Sequence, residues 1–252
     1  GEPMVPVGSG PVRAAIALTG VAWGTKLDLT CTYAAANGGD GYHGEEAGAW
    51  PVLEYAKRYG FYEDPPLETP ANERSPSGLY HNGRLFRPSD PQSQVDPGRL
   101  AFGQEALLAT PLQMAMVSAG VANKGVVMEP HVVDRITNPN GGVVTRTKPK
   151  RLDRAVSRRT AQELTQMMEG AVQSGTGTAA QIPGIAVAGK TGTAETGVPG
   201  RYTSWFISFA PADHPRVAVA VVLQDQTGFG GQVAAPIAKT VMQAILAGKS
   251  NP

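Results

Sequence analysis

Hydrophobic and polar positions change period several times along this chain, and each change marks an element. Between Trp50 and Tyr59, the residues Val52, Leu53, Ala56 and Tyr59 recur at helical spacing and predict a short amphipathic helix. A second helix is predicted from Thr110-Pro111. Threonine is a cap type, proline suits the first turn, and Leu112, Met116, Ala119 and Ala122 repeat until Asn123-Lys124-Gly125 stops the run. A third helix starts at Ser157 or Thr160, continues through Met168 and Val172 and ends at Ser174-Gly175-Thr176-Gly177, and a last one spans Ala234 to Leu246. The Ala-rich segment Gly10 to Leu18 also reads as helical.

Alternation of period two marks Leu27 to Tyr33 as a half-buried strand, before a turn cluster at Asn37 to Gly41. Val126 to Thr147 reads as strand and turn, reversing at Asn138-Pro139-Asn140-Gly141-Gly142. Three further β segments are predicted at Ile185–Ala188, Trp205–Ala210 and Val217–Leu223, the last two joined by a hairpin-length turn, Pro211 to Pro215. Residues 65–98 carry too many prolines for helix interiors and form a long irregular excursion, with a hairpin around Asn82-Gly83. Adjacent strands with helices before and after them predict an α+β layered domain.

Composition narrows the class. Of 252 residues, 52 are glycine or proline, about a fifth, below the roughly 25–30% typical of low-complexity chains, and 41% are hydrophobic, enough for one globular domain. The net charge is +1 and no run of like charge marks a nucleic-acid tail, so no nucleic-acid partner is expected. The basic stretch Lys148 to Arg154, with Arg158 and Arg159, reads as a solvated face. Cys31 is the single cysteine, which excludes intrachain disulfides and cysteine-cluster metal sites. The four histidines, His43, His81, His131 and His214, share no metal-ligand spacing, and neither a metal nor a cofactor is expected. No stretch approaches the ~18 consecutive apolar residues of a transmembrane helix, and Gly1-Glu2-Pro3 does not open a signal peptide.

Gly184 to Thr191 satisfies the nucleotide-binding pattern G-x-x-x-x-G-K-[ST], but its context does not. A phosphate cradle needs a strand before the first glycine and a helix after the lysine. Here Ile185 to Ala188 is itself strand material, and the glycines after Lys190 oppose a helix. Read as a strand, Val187 to Thr193 presents Lys190, Thr191 and Thr193 along an extended backbone, where an ammonium and two hydroxyls can hold a carboxylate and an exposed edge can pair with an extended peptide. A solvated lysine on a surface strand is the plainer alternative.

Lys190-Thr191-Gly192-Thr193 resembles the K-T-G segment of the penicillin-binding proteins, the serine acyltransferases that crosslink peptidoglycan. Gly103-Gln104, Thr110 to Ala115, Ala122 to Gly125, Gly175 to Ala180 and Trp205 to Pro211 resemble further blocks of the class B transpeptidases, so that the likeness covers Leu100 to about Leu246. The resemblance implies a five-stranded antiparallel sheet with helices packed on both faces, as in the β-lactamase-like fold. It also implies that Lys190 supports proton transfer and the substrate carboxylate, that Thr191, Gly192 and Thr193 form the substrate-binding wall, and that the Thr193 backbone N–H serves the oxyanion hole. Peptidoglycan stem peptides and β-lactams are the implied ligands, other cell-wall synthesis proteins the implied partners, and the extracytoplasmic face of the bacterial membrane the implied location, with the anchor outside this chain.

Two motifs of that family have no counterpart. No serine is followed by lysine three places on, and none by asparagine two places on. Val7 to Arg13 matches the nucleophile segment best, making Ser9 the candidate nucleophile, with Val12 where the lysine belongs. Arg13 lies about 100° further around a helix and is too basic to take a proton near neutrality. His43-Gly44 resembles another family turn, but the stretch between it and Trp50 is short. Residues 1–252 thus read as one transpeptidase-like domain, incomplete in its N-terminal part. Two functions are carried forward: a D,D-transpeptidase acting through a serine, and a catalytically degenerate homologue serving as a scaffold. A β-lactamase or carboxypeptidase is disfavoured by the Thr110 and Gly175 blocks.

Overall fold

A computed structural model describes residues 13–18, 25–26, 49–86, 100, 103 and 106–248. Its framework is a sheet of β1 (Arg13–Leu18), β12 (Val217–Gln226), β11 (Tyr202–Ala210) and β10 (Ala188–Glu195), in that order. Strands β10, β11 and β12 run antiparallel, pairing Lys190 with Ile207 and Ile207 with Ala220. β1 runs parallel to β12, from Arg13 opposite Val217 to Leu18 opposite Val222.

Two expectations are corrected here. Arg13–Leu18 is a strand, not a helix. Alanine favours helix, but a run this short cannot offset the cost of helix nucleation, and its six residues gain more from pairing along β12. The strand expected at Ile185–Ala188 begins at Ala188 instead. Pro183-Gly184 forms a tight turn with Gly184 at φ +75°, which uses Ile182 and Ile185 in a single bridge. The α+β class holds, with four strands in this sheet among the described residues, one of them parallel, in place of five antiparallel ones. The predicted strand Leu27–Tyr33 and turn Asn37–Gly41 lie outside the described residues.

Both faces of the sheet are covered, because β12 reads as an unbroken apolar run. Ala218, Ala220 and Val222 point to one core together with Trp205 and Phe209. That core is closed by α1 (Ala49–Arg58), α2 (Pro111–Ala122) and the first turns of α3 (Arg158–Gln173). Val217, Val219 and Val221 point to the other core with Phe206, against Ala235, Ala238 and Met242 of α5 (Ala235–Leu246). Thr110 is the cap read from sequence, its Oγ1 accepting from Gln113 N at 3.1 Å, and of the two candidates for the next helix Ser157 is the cap, its Oγ accepting from Thr160 N at 3.0 Å.

Smaller elements lie around this frame. β2 (Thr25–Lys26), β5 (Leu107–Ala109), β3 (Gly78–His81) and β4 (Arg84–Leu85) form a second sheet, in which Asn82 and Gly83 take φ +48° and +74° and turn the predicted hairpin. β6 (Val126–Met128) pairs with β9 (Arg151–Arg154), and β7 (Arg135–Thr137) with β8 (Val143–Arg146) about the predicted reversal. Lys148 to Arg154 is exposed throughout, as a solvated face.

Val52, Leu53, Ala56 and Tyr59 are all buried, and Gln113, 1% exposed, ties α1 to α2 by donating from Nε2 to the Tyr59 carbonyl at 2.8 Å. The Tyr59 hydroxyl is buried with no hydrogen-bond partner among the described residues, and burial pushes its phenol pKa upward. Tyr59→Phe removes an unsatisfied polar atom and is expected to leave thermal stability unchanged or raised. A loss of more than about 1 kcal/mol would show the hydroxyl to be bonded.

Candidate active site

Among the described residues β10 is an edge strand of the central sheet, and it carries Lys190, Thr191, Gly192 and Thr193. Cross-strand pairing decides which way each side chain points, since paired residues share a face. Lys190 and Gly192 lie opposite Ile207 and Trp205, on the face of the first core. Thr191 and Thr193 lie opposite Phe206 and Ser204, on the face of α5. The ammonium and the two hydroxyls therefore flank the strand from opposite sides.

This arrangement excludes the phosphate loop. Gly189 sits within β10, where an added Cβ would stand 2.4 Å from the Phe206 ring, so its glycine serves packing against β11. After Lys190 the chain continues extended to Glu195, and no helix N-terminus follows the lysine.

Lys190 is half-buried, and its Nζ donates to the Thr191 carbonyl. Thr191 Oγ1 lies 2.8 Å from Thr176 Oγ1, and Thr193 Oγ1 accepts from the Gly230 N–H at 3.4 Å. Gly230 opens α4 (Gly230–Val233), a single turn seated against the strands. A Cβ on Gly230 would stand 2.1 Å from the Trp205 carbonyl and 2.6 Å from that of Gly192, and one on Gly231 would stand 2.0 Å from the Thr176 carbonyl. Only glycine permits this approach.

Neither α4 nor the Thr176 hydroxyl is among the features expected from the sequence. The paired glycines 230 and 231 directly before an apolar helix were the available signal for the first. Trp205 is 3% exposed and belongs to the core. His81, His131 and His214 are exposed, the last 2.9 Å from Asp213. Ser9 and His43 lie outside the described residues. Among the described residues, no group of three or more His, Cys, Asp or Glu side chains could hold a metal ion, and no helix is long and apolar enough to cross a membrane.

Comparison with known families identifies the fold that builds this wall. Residues 43–243 match the profile of the penicillin binding protein transpeptidase domain. The chain belongs to the penicillin-binding protein transpeptidase family. Among curated members of that family it is 40% identical over 156 residues to the peptidoglycan D,D-transpeptidase PbpA of Mycolicibacterium smegmatis, an alignment covering 59% of this chain and 32% of PbpA. Stage V sporulation protein D of Bacillus subtilis is 32% identical over 209 residues, covering 79% of this chain and 31% of that protein. The chain thus spans about a third of the length of these relatives.

Solved transpeptidase structures agree. Penicillin-binding protein A of M. tuberculosis, in its ceftriaxone acyl-enzyme complex, superposes with a TM-score of 0.68 at 33% identity, over 81% of this chain and 44% of that one. The D,D-transpeptidase domain of a peptidoglycan glycosyltransferase from Eggerthella lenta superposes with a TM-score of 0.64 at 34% identity, over 88% of this chain and 53% of that one.

Proposed function

We propose that this protein is a penicillin-binding D,D-transpeptidase of peptidoglycan crosslinking. The supporting observation is the edge strand β10, which presents Lys190, Thr191 and Thr193 within a chain of this family. The named relatives are peptidoglycan D,D-transpeptidases, and a solved neighbour is a β-lactam acyl-enzyme.

In this reading residues 1–252 act as one transpeptidase-like domain, and Ser9 is the nucleophile. Its oxygen attacks the penultimate D-Ala carbonyl of a stem peptide, an ester forms as the amide bond breaks, and the terminal D-Ala leaves with a proton on its amine. An amine of a neighbouring stem peptide then displaces the serine, which regains its proton. Thr191 and Thr193 receive the substrate's terminal carboxylate, Lys190 supports it and the proton transfers, and the Thr193 backbone N–H stabilises the oxyanion. Stem peptides and β-lactams are the ligands, and the protein acts on the extracytoplasmic face of the membrane beside other wall-synthesis proteins.

Incubation with a stem peptide ending in D-Ala-D-Ala is expected to release D-alanine, and prior treatment with benzylpenicillin should suppress that release. Release that persists at full rate after β-lactam treatment would contradict the proposal.

A further inference from the structure

We propose that Thr176 is a positioning residue that keeps the Thr191 hydroxyl proton directed at an anionic group of the ligand. The inference rests on the reading above, in which Thr191 receives a carboxylate. The two hydroxyl oxygens lie 2.8 Å apart, a distance at which one of the two protons is shared between them. A threonine hydroxyl has one proton to donate, and a carboxylate can only accept. Thr191 serves an anion only if its proton points outward, so its oxygen must then accept from Thr176. With the bond reversed, Thr191 would spend its proton on Thr176 and turn lone pairs toward the anion.

The surrounding packing keeps this pair together. Thr176 sits in the turn after α3, where the Gly177 N–H donates to the Ala171 carbonyl at 2.9 Å. A Cβ on Gly177 would stand 3.2 Å from the ring of Phe206, the residue paired with Thr191 across the strands. A Cβ on Gly231 would meet both the Thr176 carbonyl, at 2.0 Å, and the Thr191 methyl, at 3.3 Å, so α4 contacts both residues. The turn, the strand and α4 hold the two oxygens within hydrogen-bond distance before any ligand arrives. Thr176 is exposed, so exchanging its side chain leaves the core intact.

The test compares acylation rates of the wild type, Thr176→Val and Thr176→Ser with benzylpenicillin and with its uncharged methyl ester. Valine keeps the shape and removes the donor. It is expected to slow acylation by benzylpenicillin about tenfold, and by the ester about twofold or less, because hydrogen bonds to charged acceptors are the stronger ones. Serine restores the wild-type rate. Equal losses with acid and ester, an unchanged Val variant, or a Ser variant as slow as Val would overturn the role of Thr176 while leaving acyl transfer standing. A wild-type chain that forms no adduct at all removes the acyl-transfer reading, and this role with it.

Discussion

Replacing Lys190 with alanine is expected to slow acylation by benzylpenicillin by about 10²–10⁴-fold, the range for a side chain placed to move a proton in the transition state. The folded protein should survive the change, because Lys190 lies on an edge strand and is only half-buried. Its ammonium is fixed against the Thr191 carbonyl on the opposite side of the strand from the two threonine hydroxyls. Alanine therefore removes the charge and leaves the hydroxyl pair in place. Lys190→Arg is expected to recover little, since a guanidinium does not give up its proton near neutrality and its planar fork needs different partners. Stopped-flow acylation with a chromogenic β-lactam, alongside thermal unfolding of each variant, measures this. A wild-type rate in the alanine variant would remove Lys190 from the chemistry.

The second large effect belongs to a residue with no side chain. Gly230→Ala places a methyl group 2.1 Å from the Trp205 carbonyl and 2.6 Å from the Gly192 carbonyl, both backbone atoms of adjacent strands. Neither strand can yield without disturbing the sheet, so α4 must lift. Overpacking of this kind costs about 1–3 kcal/mol. Lifting α4 also withdraws the Gly230 N–H from Thr193 and the Gly231 contact from Thr176 and Thr191. The variant should therefore unfold at a lower temperature and acylate more slowly, both together. Full activity in a destabilised Gly230→Ala protein would show that α4 supports the fold and not the threonines.

These two residues also show how far the sequence could be read. Lys190 and its neighbours were legible because an extended segment rich in glycine and hydroxyls excludes the helix that a phosphate loop requires, and the strand runs through them as expected. The helices beginning at Thr110 and Ser157 were legible because cap, spacing and stop agree within a few residues. Gly230 was legible only as half of a glycine pair before an apolar helix, since its importance comes from carbonyls of β10 and β11 that meet it only after folding. Arg13–Leu18 misled because so short an alanine-rich run cannot offset the cost of helix nucleation beside an available strand edge on β12. The split of Lys190 from Thr191 and Thr193 across the strand follows from period-two geometry, but it becomes visible only once the register against β11 is known.

The most direct test of acyl transfer through a serine is intact-mass measurement of the folded protein after incubation with excess benzylpenicillin, with peptide mapping of any adduct and Ser9→Ala as the control. The expected result is a mass increase of one penicillin, mapped to the peptide containing Ser9 and absent from the control. A folded protein that gains no mass would contradict acyl transfer and leave a binding or scaffold protein built on the transpeptidase fold.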